Sequence, residues 1–178
     1  MADLIKATIV AVLSNFSLAF LVLGVVVALA ALVRAPRPLR REVVVEKLLA
    51  WHVFFAIGAS YLYNFVCHVF FGRFTAAYIG WADSPFQFEV GTASLGFALV
   101  GFLAAFRSFD LRLAAVLGSA AFLLGAAAGH VYQMVTAHNF APGNAGTVFY
   151  TDIAVPLVGF MLLGLQRRWG QARPSNGQ

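Results

Sequence analysis

Three side chains in this sequence could together hold a metal ion or handle a proton: His68, Glu89 and His130. Two neutral imidazoles and a carboxylate form a ligand set suited to zinc, iron or copper, and Asn64 and Gln133 stand at spacings that could orient the ligands. Glu89 is the candidate catalytic group, as anionic ligand or proton acceptor. Asn64, His68, His130 and Gln133 are the candidate cofactor-binding residues. Tyr61, Asn64 and His68 recur at spacings of three and four and so share one helical face, and His130, Gln133, Met134 and His138 do the same. No HExxH or comparable pattern fixes the set, and a single intramembrane histidine is commonly a hydrogen-bonded structural residue.

A second chemistry uses the residues beneath His130. The run Gly125-Ala126-Ala127-Ala128-Gly129 strips side-chain bulk from one stretch, and a histidine above such a bare surface could ligate the metal of a flat macrocycle. Haem is the testable case, with His68 and His130 as the axial pair. The competing account is that Gly125 and Gly129 form a GxxxG pair for close helix contact, and spacing favours that account. A transition metal and haem thus stay open as cofactors.

The elements that must position these groups are membrane spans. Of the 178 residues 61% are hydrophobic and only 11% charged, and the mean hydropathy is +0.84. Soluble domains carry about 25% charged residues. Composition therefore predicts an all-α integral membrane bundle as one domain. A single cysteine, Cys67, excludes an intramolecular disulfide or a CxxC zinc site built from this chain. Although the pI is near 9.9, the basic residues lie beside apolar runs without a groove-reading pattern, so no nucleic-acid partner is expected.

Five transmembrane helices are predicted, at residues 7–33, 48–72, 84–106, 111–138 and 152–169. The first apolar run is too long for the hydrophobic region of a cleavable signal peptide and lacks its basic flank, which marks it as a retained span. Arg34, Arg37, Arg40, Arg41 and Lys47 follow it and place that loop in the cytoplasm. With the N-terminus outside and the C-terminus inside, ten of the 12 basic residues lie inside, leaving Lys6 and Arg73 outside. His68, Glu89 and His130 then converge on the outer leaflet.

The third span has a legible start. Ser84 offers an N-cap, Pro85 the first helical position and Gln87 the partner that closes a capping box. Tyr78 and Trp81 just before it suit an interfacial belt. Glu89, a little over one turn further in, is expected to face protein or a wet cavity, because lipid would penalise it. His52 is expected at the inner interface, His138 and Asn139 at the outer surface, and Asp152 as a cap of the fifth span. Gly91, Gly96 and Gly101 are expected to serve close packing.

The run Ala77-Tyr78-Ile79-Gly80-Trp81 followed by Ser84-Pro85-Phe86-Gln87-Phe88-Glu89-Val90-Gly91 resembles the signature of a family of uncharacterised small prokaryotic integral membrane proteins. His68 fits that pattern as well, and the likeness covers about residues 64 to 101. It implies a multi-spanning bundle and assigns no activity; the expected location is a bacterial cytoplasmic membrane.

Three function classes remain. A metal- or haem-binding redox protein needs His68, Glu89 and His130 to converge. An accessory or structural subunit needs no pocket and would use the small-residue faces against a membrane-protein partner or a second copy. A small-solute transporter needs a polar path through both leaflets, for which the inner halves offer little beyond His52. A nucleophile elbow is not visible, which disfavours a hydrolase.

Overall fold

The computed structural model describes residue 4 and residues 11–170. The start of the first predicted span, Lys6, and the tail bearing Arg173 lie outside the described residues. Among the described residues all regular structure is helical. Five helices are long and apolar enough to cross a membrane. In chain order the elements are α1 (Phe16–Val33), α2 (Arg41–Phe70), α3 (Gly72–Ile79), α4 (Phe86–Ala104), α5 (Phe109–Ala137), α6 (Pro142–Ala145) and α7 (Thr147–Gly170).

The long helices run up and down, so the end of α2, the start of α4, the end of α5 and the start of α7 meet at one end. Their outward faces carry exposed Val26, Leu29, Leu103, Leu117 and Leu157, an apolar coat suited to lipid contact. Inside, Leu49, Val53 and Ile57 of α2 pack with Ala98 of α4, Val116 of α5 and Leu162 of α7.

Of the helix boundaries that differ from expectation, two bear on the packing of charged residues, each for a local reason. Helix α2 begins at Arg41 rather than 48, because Glu42, Glu46 and Lys47 extend it into the polar end. There Glu46 meets Arg112 of α5, whose Nη1 and Nη2 each donate to a Glu46 carboxylate oxygen at 2.6 Å, while Gln166 of α7 donates to the same carboxylate at 2.8 Å. Arg112 also donates to the carbonyls of Ala104 and Ala105 at the end of α4. One charged cluster thus ties four helices at the basic end. Helix α7 begins at Thr147 rather than 152, so Asp152 lies in its second turn and is no cap.

Residues Val53–Ala59 of α2 form a π-helical segment. It lies at a close approach of α2 to α4: a Cβ on Gly101 would fall 2.7 Å from the Gly58 nitrogen. Only glycine permits that separation. Gly91 serves the same contact one end further along, against Val69, whereas Gly96 meets nothing within 4 Å and is not a packing residue. His52, expected at the inner interface, is instead buried in the core, and its Nε2 has no hydrogen-bond partner among the described residues.

Candidate functional site

At the end opposite the charged clamp, the helices frame a cavity of about 920 Å3 that is open on one side. Its wall is mainly apolar, with polar groups in two stations. The first joins α2 to α4. His68 Nδ1–H donates to Gln87 Oε1 at 2.6 Å, and one turn deeper Asn64 Nδ2 donates to the Ser94 hydroxyl at 2.9 Å. Gln87 therefore does not close a capping box with Ser84; the first turn of α4 has no side-chain cap. A half-buried imidazole lacking water needs a partner, and the bond to Gln87 supplies it.

The second station joins α5, α6 and α7. Asn144 of α6 is fully buried. Its Oδ1 accepts from Trp81 Nε1 at 3.1 Å and from His130 Nδ1 at 2.8 Å, and its Nδ2 donates to the carbonyls of Asn139 at 2.9 Å and His130 at 3.3 Å. An indole N–H can only donate and a carbonyl can only accept, so these partners fix which way the amide points. It follows that the proton on Nδ1 of His130 is the one given to Asn144. His130 Nε2 then faces Asp152 Oδ2 of α7 at 3.5 Å, with both side chains at least 94% buried. The pair is close but off-axis, and Asp152 Oδ2 makes no hydrogen bond among the described residues.

Asp152 points inward because it shares a face of α7 with buried Val155. Pro156 follows it by four residues inside α7 and has no N–H for the Asp152 carbonyl, which loosens the helix at that turn. Helix α6 approaches α3 through Gly143, where a Cβ would fall 2.6 Å from the Tyr78 ring and 2.8 Å from its carbonyl oxygen. The bare stretch of α5 faces the cavity: Gly125 and Ala126 line it, and a Cβ on Gly125 would meet nothing within 4 Å. The GxxxG account is thereby corrected, since Gly125 packs against no helix and Gly129 meets only Trp81, at 3.9 Å.

Of the residues expected at the site, Asn64, His68 and His130 line the cavity, whereas Glu89 and Gln133 do not. Glu89 is exposed. On α4 the face turned toward α2 carries Gln87, Val90, Gly91 and Ser94, and Glu89 lies about 200° around the helix from Gln87. The expectation that Glu89 faces protein or a wet cavity is thus corrected. Gln133 is half-buried, and the partner expected of it on His130 is Asn144 instead. Among the described residues no three His, Cys, Asp or Glu side chains stand together in a group able to hold a metal ion. The set of His68, Glu89 and His130 is therefore not assembled. His138, expected at the outer surface on the His130 stripe, ends α5 in the left-handed conformation, exposed, at φ 50°.

Sequence reasoning missed Asn144 and misassigned Asp152. Asn144 sits in Ala-Pro-Gly-Asn-Ala-Gly, a composition that reads as an ordinary turn. An aspartate four residues before a proline inside an apolar run was the available signal for Asp152.

No curated protein and no solved structure matches the chain. A family model does, described as a family of unknown function (DUF6790), over residues 14–172. The chain belongs to that family, in keeping with the expectation of an uncharacterised family.

Proposed function

We propose that this member of a family of unknown function is an integral membrane protein that binds an amphipathic, largely apolar molecule in the cavity between its helices. The polar part of the ligand sits against the His130–Asp152 and His68–Gln87 stations. The observation that carries this proposal is a buried carboxylate oxygen with no hydrogen-bond partner among the described residues, on the wall of a mainly apolar cavity of about 920 Å3. The cavity is open on one side, and its size falls within the range of ligand pockets, roughly 300–1,000 Å3. Mainly apolar walls select an apolar body. Desolvated polar groups select a head that can hydrogen-bond to them.

The spans cross a bacterial cytoplasmic membrane with the start of α1 outside and the end of α7 inside. Arg41, Lys47, Arg107, Arg112, Arg167 and Arg168 share the clamp end of the bundle, as the positive-inside rule requires of a cytoplasmic face. The cavity then opens its polar stations in the outer leaflet.

A second reading, a haem-type macrocycle, is favoured by one observation: Gly125 and Ala126 present a bare wall on the cavity that His68 and His130 also line.

The test is an optical spectrum and mass spectrometry of solvent extracts from protein purified in mild detergent, beside Gly125→Phe. The phenylalanine projects into the cavity from a position with open space around it. An apolar molecule near one equivalent per chain, lost in the variant, is the expected result. A Soret band lost on His130→Ala would instead select the macrocycle. Bulk lipid alone, in the same amount for both proteins, would overturn ligand binding.

A further inference from the structure

We infer that the His130–Asp152 pair is a proton-accepting dyad for an acidic hydroxyl, so that the ligand class is an amphiphile with a phenol-type head. The inference rests on the cavity being a ligand site. The bond from His130 Nδ1–H to Asn144 commits that proton, and Asn144 cannot turn over without breaking its bonds with Trp81 and Asn139. Any proton exchanged by His130 is consequently carried at Nε2, the atom facing Asp152. With His130 neutral, two acceptor atoms stand 3.5 Å apart on buried side chains and Asp152 Oδ2 makes no hydrogen bond among the described residues, so the pair takes up one proton, which leaves an imidazolium–carboxylate ion pair, or one positive charge.

An ammonium head would meet that demand with its own charge and without proton transfer; three other species divide as follows. A metal ion held by the protein normally has three or four protein ligands, and no such group of donors exists among the described residues. An aliphatic alcohol can donate a hydrogen bond but is too weak an acid to give up its proton. A phenol-type hydroxyl, with the acidity of a tyrosine side chain near 10, lies within reach of a base stabilised by an adjacent carboxylate. The step balances without an oxidant: the ligand O–H bond breaks, an N–H bond forms at Nε2, and Asp152 stabilises the imidazolium. Phenolate and imidazolium remain as an ion pair.

The geometry around the pair fits such a head. The Trp81 ring lies beside His130, tilted by 47° with ring centroids 5.7 Å apart, and supplies an aromatic wall for a ring. Tyr61, Tyr63, Cys67, His68 and Tyr78 are the other titratable side chains on the cavity wall, and none of them brings a fixed positive charge to Asp152.

The experiment titrates the full-length protein in detergent with a nitrophenol bearing a dodecyl chain, and in parallel with its methyl ether. Binding is read from quenching of tryptophan fluorescence, and proton transfer from the phenolate absorption band. Wild type is expected to bind the phenol at least ten-fold more tightly than the ether and to raise the phenolate fraction above that in empty micelles at the same pH. Asp152→Asn, nearly isosteric, is expected to keep binding but lose the added phenolate, and His130→Gln likewise. Binding of the phenol with an unchanged spectrum, or an Asp152→Asn protein indistinguishable from wild type, would overturn the dyad while leaving the cavity as a ligand site. If neither phenol nor ether binds, or Gly125→Phe binds both unchanged, the cavity assignment falls and the dyad with it.

Discussion

Replacing Asn144 by alanine removes the amide that holds Trp81, His130 and the end of α5 to α6. Four hydrogen bonds disappear, at 2.8, 2.9, 3.1 and 3.3 Å. The His130 carbonyl keeps its place in the α5 ladder, so three groups lose a partner: the Trp81 indole N–H, the His130 Nδ1–H and the Asn139 carbonyl. At about 1 kcal/mol net for each bond the loss is about 3 kcal/mol, and higher if the groups left behind stay dry. Asn144→Asp sharpens the case. It keeps an acceptor for Trp81 and His130 but turns the amide donor into a second oxygen against the Asn139 carbonyl, so it should be at least as unstable as the alanine variant. The assay is a reversible SDS titration in mixed micelles followed by tryptophan fluorescence. A change below about 0.5 kcal/mol for Asn144→Ala, the size of an ordinary surface substitution, would refute the assignment of Asn144 as the residue that fixes His130.

Glu46→Ala strands the Arg112 guanidinium, whose side chain is 2% exposed, and should cost about 3 kcal/mol in the same titration. That is the low end for a broken buried pair, because the Glu46 side chain is 44% exposed and water can partly replace it. Gly101→Val places a Cβ 2.7 Å from the Gly58 nitrogen, and spreading α2 from α4 should destabilise the bundle by about 1–3 kcal/mol or more, again read by SDS titration. Glu89→Gln should change stability by less than about 0.5 kcal/mol and leave binding of the dodecyl nitrophenol unaltered; a ten-fold loss of affinity would return Glu89 to the site.

Apolar run lengths determined the helical class and the five helices long and apolar enough to cross a membrane, because about 30 Å of hydrocarbon needs some 20 apolar residues whatever the tertiary contacts. The three- and four-residue spacing was also enough to bring Asn64 and His68 to one face, since both lie in the α-helical part of α2, past the π segment. Tertiary structure decided what that spacing could not. Glu89 and Gln87 are two residues apart and share a chemistry of polar atoms, but only the packing of α4 through Gly91 and Gly101 chooses which of them meets His68. Asn144 reaches His130 across 14 residues and a turn, a distance at which helical periodicity carries no information. Asp152 reads as a cap until α7 is seen to begin one turn earlier. A chain's periodicity sets which residues share a face, whereas the identity of the facing helix depends on close approach at a few small residues, and that selected the His130–Asp152 pair over His68, Glu89 and His130.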